Sequence, residues 1–518
     1  MHGTDQRVEK LLVAPWGSPW GSSRKSPRGW GLQTYIYEGV QLQSKTSLDI
    51  LARKLRPDKV LIVVLDTLAT TLINTSSRYG YRELTDHIRN EIKTYIKNET
   101  EELKGRTVEI IVAPGVGRFR NGVFKGNLSD FYYFMCWELA KRMVDFYHSL
   151  KEVHLDLTHG VNFMPTLTYL SLKEIISALN IFKSGEGNRI KFRVYNSDPV
   201  VGEEMQKLEI HVVEESTPIL FTPRLRVWDT DLAPIKPTSG EAELCKELYS
   251  KKLNEFRDMF NRGVAMELSA FFGSIFNGLP LAVASFFPEN VDEIETAIER
   301  VISVFRNHIK VEIGDNCLNV HRELKFTEHF KFMTFVWVFA KLLQSTEVVE
   351  CRMREVELNR LHTIKDRVFK WSDVLHIFLG REIGAVKEAI EREKPIKWTL
   401  LAHVLGEKGS DHIDPRNFLA QRKVPQCGRA VLRGRSPFRR YLWPPSREIL
   451  GRPRGWVADG VFPRSVVAEY NSRLARRRQP HIGFCRGVPV PQGGKSRMDK
   501  KKFFRHCQYL QRPRAPPG

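Results

Sequence analysis

Short, almost wholly apolar runs punctuate the first third of the chain: Leu11–Pro15, Val60–Leu65, Glu109–Ala113, Val153–Leu157 and Phe192–Tyr195. Between them lie longer stretches with helical spacing of apolar residues, such as Ser129–Leu150 and Pro165–Leu179. Continuous apolar strands alternating with helices predict a parallel sheet covered on both faces, because each strand must bury both of its sides. A last, alternating run at Leu208–Glu214 reads as a sheet-edge strand. Pro and Thr then gather between Thr217 and Ser239, a linker composition. From Glu241 to about Leu405 the period becomes helical, with long stretches at Ala242–Phe272 and Phe330–Leu343 and few strand candidates. The pattern divides the chain into an α/β domain over 1–215, a linker over 216–239, a mostly α-helical domain over 240–420 and a tail over 421–518. The tail shows no sustained period of either kind, and residues 22–31 look equally out of place behind the first strand.

Charge sharpens that division. The net charge of +21 over 518 residues suggests nucleic-acid binding until it is located. Residues 421–518 hold 24 Lys+Arg against 4 Asp+Glu and 12 of the 27 prolines, whereas residues 1–420 hold 57 basic and 56 acidic side chains. The body is therefore close to neutral and the excess belongs to the tail. The seven cysteines are scattered, with no CxxC pair and no Cys/His cluster, so neither a zinc site nor a disulfide framework is expected. No signal-peptide pattern opens the sequence. The run Phe332–Leu343 is too short to span a bilayer and contains Lys341. The expectation is a cytoplasmic protein without a membrane partner.

The segments that follow the predicted strands carry the candidate chemistry. They are Trp16-Gly17, Asp66-Thr67-Leu68-Ala69, Pro114-Gly115-Val116-Gly117-Arg118-Phe119 and Thr158-His159-Gly160-Val161-Asn162. In an open α/β sheet such loops converge on one crevice, where ligands bind. Glycines let backbone N–H groups approach phosphate oxygens, hydroxyls add donors, and helix N-termini favour negative charge. Taken singly, each has a plainer reading: Gly115 and Gly117 as a turn, Thr67 as an N-cap, Asp66 as a cap of the next turn, His159 as a buried structural histidine, Arg118 as a surface charge. Four loops of one kind favour an anionic nucleotide, with no metal and no cofactor required. An NAD-dependent oxidoreductase is disfavoured, because TrpGlySerProTrpGly stands where GxGxxG would follow the first strand.

HisLeuAspLeuThrHisGlyValAsnPheMetPro (154–165) closely resembles the hallmark of the CARF domain, the CRISPR-associated Rossmann-fold sensor. ValValLeuAspThrLeuAla (63–69), AlaProGlyValGlyArgPheArgAsnGlyValPheLysGlyAsn (113–127) and ValTyrAsnSerAspPro (194–199) are similar to the same family in the same order. The resemblance implies a Rossmann-like CARF domain with a parallel-dominated sheet, followed by an α-helical HEPN-type ribonuclease domain, as in the CARF–HEPN ribonucleases of type III CRISPR systems (Csx type). It further implies a homodimer, or a higher oligomer of dimers, binding cyclic oligoadenylate across its two-fold axis. A ring with an even number of identical nucleotides shares the symmetry of an isologous dimer. By that resemblance Thr158, His159, Gly160 and Asn162 line the ring, with Thr67, Gly117 and Arg118 beside them.

The HEPN motif is an Arg followed, after four to six residues, by His. It occurs at Arg82…His87, Arg322…His329 and Arg476…His481, each read as accidental. Asp414-Pro415-Arg416-Asn417-Phe418-Leu419-Ala420 is different. Asp before Pro marks a helix start, placing Arg416 and Asn417 in a first helical turn, where the macrodipole favours phosphate. The string resembles the HEPN active-site helix, ArgAsn-x-x-AlaHis, but the next residue is Gln421. Charge, proline content and periodicity all change from that residue onward, and His and Gln codons share two bases. Residues 421–518 therefore read as an irregular basic tail, either out-of-frame sequence and not the family's own C-terminus or a genuine basic tail that binds nucleic acid, and the coincidence with the motif favours the first. The functional expectation is a cyclic-oligoadenylate-activated, metal-independent single-strand endoribonuclease, impaired in this chain by the missing histidine. The alternative is a non-enzymatic sensor with a degenerate effector domain.

Overall fold

The computed structural model describes residues 7–21, 29–72, 80–119, 121–183, 186–201, 204–219, 232–239, 242–256, 261–314, 317–353 and 355–393, with three further short strands. The chain opens with β1 (Lys10–Trp16), the hairpin β2 (Gln33–Tyr37) and β3 (Val40–Ser44), α1 (Ser47–Leu55) and β4 (Lys59–Leu65). The short α2 (Ala69–Leu72) and the long α3 (Tyr81–Glu99) lead to β5 (Val108–Ala113). A second hairpin, β6 (Gly117–Phe119) and β7 (Gly122–Lys125), precedes α4 (Leu128–Asp145), β8 (Glu152–Asp156), α5 (Met164–Phe182), β9 (Lys191–Ser197) and β10 (Lys207–Ser216).

Eight of these strands form one sheet in the order β3-β2-β10-β9-β8-β1-β4-β5. The five from β9 to β5 run parallel, and β10 is antiparallel to β9. Each predicted apolar run lies in one of the parallel strands, and the inner ones are buried along nearly their whole length, as double-sided covering requires. The chain leaves β1 toward β4 and β5 and later returns on its other side to β8 and β9. The order therefore reverses between β1 and β8, the place where such sheets hold ligands.

The edge expectation for Leu208–Glu214 is overturned, because β2 pairs with β10 and β3 lies beyond it. The hairpin turns on Glu38 and Gly39, whose φ values of 45° and 77° give the twist that suits a two-residue connection.

Inside the span expected as linker lies β11 (Ile235–Pro237), and beyond it come α6 (Ala242–Glu247), α7 (Arg262–Phe276), α8 (Pro280–Ser285), α9 (Val291–Asn307), β12 (Ile309–Gly314), β13 (Cys317–Arg322), β14 (Leu324–Phe326), which pairs with β11, and α10 (Glu328–Ser345). They continue into β15 (Glu355–Glu357), α11 (Leu358–Val368), α12 (Asp373–Glu393) and β16 (Thr399–Leu400). The stretch Ala242–Phe272 is not one helix. It breaks after α6 through a π turn and a 3-10 turn, and Asn261 then caps α7 by accepting from the Val264 N–H at 2.9 Å. Helix α10 is apolar on almost every face because it is enclosed. Trp337 lies 4.9 Å from Trp137 of α4, and Phe339 packs between Phe182 of α5 and Phe272 of α7. That enclosure, rather than a membrane, accounts for the run Phe332–Leu343.

Few strands were expected in this half, yet β12 and β13 form a hairpin whose inner strand pairs in parallel with β7. The result is a four-stranded sheet, β12-β13-β7-β6, with two strands from either side of the linker. In the tail, β17 (Lys423–Val424) and β18 (Val431–Arg433) are strands, and β18 pairs with β15. The irregularity expected from Gln421 onward therefore does not hold at those five residues. Arg416, Asn417 and Gln421 lie outside the described residues.

Candidate functional site

Two buried carboxylates tie together the loops at the C-terminal ends of the parallel strands. Asp66, directly after β4, accepts the Gly115 N–H at 2.8 Å on Oδ1 and the Tyr81 hydroxyl at 2.9 Å on Oδ2. Its Oδ2 also receives Arg322 Nη2 from the end of β13, an ion pair in which the two side chains are 0% and 1% exposed. Asp66 is thus more than a turn cap: it fixes the loop after β5 onto the loop after β4, and both onto the second half of the chain. Arg322 also donates to the Lys125 carbonyl at 3.3 Å, so the Arg322…His329 pattern serves packing.

Asp156, at the end of β8, accepts the Ser47 hydroxyl at 2.6 Å on Oδ2 and both the hydroxyl and N–H of Thr158 on Oδ1. Burial raises its carboxyl above the usual range while those three bonds oppose the shift. Thr158 in turn accepts the Ser197 N–H from β9 at 3.1 Å.

His159 is half-buried between these anchors. Its ring stacks on Trp30 at 4.0 Å, and Nε2 accepts the Ser47 N–H at the start of α1 at 3.3 Å, with the Tyr35 hydroxyl also 3.3 Å away. Burial lowers its pKa to about 3, so the ring is neutral with its proton on Nδ1. Trp30, from the stretch that looked out of place, is therefore part of the frame beside Trp16, 5.1 Å away. Gly160 meets Pro165 so closely that an added Cβ would lie 2.4 Å from Pro165 Cγ. Gly17, whose N–H donates to the His159 carbonyl at 2.8 Å, has room for no Cβ against Val161.

Above this frame lies a pocket of 310 Å³ whose polar lining comprises Ser18, Thr67, Thr70, Thr71, Asn121 and Asn162 and whose apolar lining includes Trp16, Leu65, Phe119 and Met164. Among the described residues no charged side chain lines it. Asn162 sits in the left-handed region at φ 53°, a conformation Asn tolerates better than most residues. Trp16 Nε1 and Ser18 Oγ are buried with no hydrogen-bond partner among the described residues, which leaves two donors unspent at the site.

Of the seven candidate ligand residues, the structure brings Thr67 and Asn162 to the pocket wall. It places Thr158, His159 and Gly160 in the frame beneath, and Gly117 with the exposed Arg118 on the β6 rim beside Phe119. Sequence reasoning missed Ser18, Thr70, Thr71 and Asn121. The signal for the two threonines was their spacing three and four residues beyond Thr67, on the same face of a nascent helix. Arg82 and His87 both lie on α3, away from this pocket. Among the described residues no group of three or more His, Cys, Asp or Glu is disposed to hold a metal ion.

Residues 11–199 match the family described as CRISPR system endoribonuclease Csx1, CARF domain. Over 433 residues the chain is 31% identical to the CRISPR system endoribonuclease Csx1 of Methanocaldococcus jannaschii, a match covering 80% of this chain and 84% of that protein. Extent and identity together, on a CARF sheet whose loops close over one pocket, show that the chain belongs to the Csx1 family of CRISPR-system endoribonucleases.

Proposed function

We propose that this protein is a CRISPR-associated single-strand endoribonuclease fold switched by cyclic oligoadenylate bound at the C-terminal ends of the CARF strands. The observation that carries the reading is the pocket at the β1/β8 switch point, walled by hydroxyls and amides from four separate loops. At 310 Å³ it sits at the low end of the range for small-ligand sites, so a ring of several nucleotides has to be shared between two copies. The same end of the sheet exposes Leu32, Phe119, Val161, Val200 and Val201, an apolar rim suited to an isologous dimer. In this reading Thr67 and Asn162 touch the ring directly, Gly117 and Arg118 meet its phosphates from the rim, and Thr158, His159 and Gly160 hold the shape.

Cleavage requires little from the protein, because RNA carries its own nucleophile in the 2′-OH. Arg416 and Asn417, in the first turn of the helix expected over 414–420, would hold the scissile phosphate as negative charge grows, without a metal ion. The histidine that would move the proton is replaced by Gln421. Gln421 also favours the second reading, a sensor that binds the ring without cutting RNA.

Single-stranded RNA cleavage in EDTA, with and without cyclic tetra- or hexa-adenylate, separates the two. The expected result is ring-dependent cleavage by Gln421→His with a restored C-terminus, and none by the chain as it stands. No cleavage by either, with ring binding intact by calorimetry, would leave the non-enzymatic sensor.

A further inference from the structure

A second cavity, of 510 Å³, opens at the opposite end of the sheet. Glu152 and Lys191, the first residues of β8 and β9, lie on its wall, whereas the ring pocket sits past the last residues of these strands. Strands of five to seven residues put the two sites about 20 Å apart. The wall also includes the ends of α4 and α5 and two residues from beyond the linker, Thr346 after α10 and Arg367 near the end of α11. The cavity therefore lies where the sensor sheet meets the helices that follow it.

Its charge is one-sided. Among the described residues Lys151, Lys183, Arg189, Lys191 and Arg367 line it against a single carboxylate, Glu152, in a body that as a whole is balanced at 57 basic and 56 acidic residues. Glu152 is engaged by His154 at 3.1 Å, and Lys151 pairs with Glu9 at 2.9 Å. Lys183, Arg189 and Lys191 have no carboxylate within 4 Å among the described residues. Lys183 instead donates to the Leu150 carbonyl at 3.3 Å and rests 4.7 Å over the Tyr147 ring, while burial and the neighbouring Lys151 hold its pKa below the usual lysine range. Arg189 Nε is buried with no partner at all among the described residues. Cations gathered without counter-charge in a concave, partly desolvated site focus the field on an anion. The exposed ring of His148 on the same wall offers a base a surface to stack on.

We infer that this basic cavity at the N-terminal end of β8 and β9 binds the phosphodiester backbone of single-stranded RNA, guiding the strand across the junction between the sensor sheet and the helical region. The inference rests on the ribonuclease reading for the identity of its ligand, and on the cavity for its place. Phosphates of a strand supply the spaced negative charges that Lys183, Arg189 and Lys191 lack.

The test uses the full chain and a thiouridine-bearing, 2′-O-methyl single-stranded RNA, which cannot be cut through its own 2′-oxygen. Photocrosslinks mapped by mass spectrometry are expected in the peptides carrying Tyr147–Glu152 and Gly187–Lys191, whatever additional binding the basic tail provides. Lys183→Gln/Arg189→Gln/Lys191→Gln should remove these crosslinks and lower the salt slope of RNA binding by about 2, from three lost phosphate contacts at roughly 0.7 each. Affinity for cyclic tetra-adenylate should be unchanged. Lys191→Glu, at an exposed position, should give the same direction with no change in the thermal unfolding midpoint, which guards against a misfolded triple variant.

Crosslinks confined to other peptides, or a triple variant with parental salt slope, would overturn the inference. So would protection of Lys183 and Lys191 from acylation by inorganic phosphate but not by RNA, which would mark a small-anion site. Crosslinking here without ring-dependent cleavage by the histidine-restored chain would defeat the ribonuclease reading and leave the RNA site standing.

Discussion

Removing the Arg322 guanidinium should destabilise the protein far more than loss of an ordinary ion pair, because the Asp66 carboxyl would be left at 0% exposure without its cation. Breaking a buried pair by deleting one partner costs about 3–5 kcal/mol, a large part of the roughly 5–15 kcal/mol that holds a typical domain. In Arg322→Met the carboxylate keeps only the Gly115 N–H and the Tyr81 hydroxyl. In Asp66→Asn the cation keeps only the Lys125 carbonyl at 3.3 Å, and its Nε has no partner to begin with. The double variant buries no charge, and the Asn oxygen can still accept from Gly115, so its loss should be about 1–2 kcal/mol. The coupling energy in the cycle should then be about 3 kcal/mol or more in favour of the pair. Urea unfolding followed by tryptophan fluorescence, which Trp16 and Trp30 beside the site report, measures all four corners at constant m. A loss below about 1 kcal/mol in Arg322→Met, or strict additivity in the double variant, would refute the view that this pair clamps the sensor to β13.

Three further outcomes follow from the site. His159→Gln should cost stability at pH 7.5 but progressively less in acid. The parent ring is neutral when folded, with a pKa of about 3, and takes up a proton on unfolding below about 6.5, so the parent loses stability as pH falls through that window. By pH 5 the gap between parent and variant should narrow by about 2 kcal/mol in urea titrations, and a gap independent of pH would exclude an imidazole held neutral in the fold. Gly160→Ala, which sets a methyl against Pro165, should lower stability by about 1–3 kcal/mol and weaken cyclic-oligoadenylate binding, with the thermal midpoint and calorimetry as the two readings. Thr67→Ala with Asn162→Ala should weaken ring binding at least tenfold with little change in melting, and unaltered affinity in a folded variant would remove the pocket assignment.

Much of this sheet is legible in the sequence because parallel strands buried on both faces must be apolar throughout, and the five runs stand out. The hairpin β2–β3 was not read, although it carries a local signal. Two alternating segments flank Glu38-Gly39, a two-residue turn signal, but the stretch follows directly on residues 22–31, whose odd composition masks it. The four loops were found because glycines and hydroxyls cluster after strand ends. Their division of labour was not, since whether His159 faces a ligand or stacks on Trp30 depends on a ring more than a hundred residues away. The pairing of Asp66 with Arg322 spans 256 residues and leaves no local trace. The β12–β13 hairpin escaped a helical reading because its register is set by β7, far upstream.

The shared sheet β12-β13-β7-β6 bears on how such proteins diversify. A recombination event that joined this sensor to a new effector by cutting in the linker would strip β7 of its parallel partner. It would also leave Asp66 without Arg322, and Asp130 without the Phe326 N–H it accepts at 2.9 Å. The hybrid would inherit a bare strand edge and two buried acids short of donors, faults that expose a chain to aggregation and proteolysis before any new activity could be selected. The exchangeable piece is therefore longer than the linker suggests and must carry residues 309–326 with it. Change within this architecture should proceed by substitution inside the helices that follow the linker more readily than by shuffling at the linker.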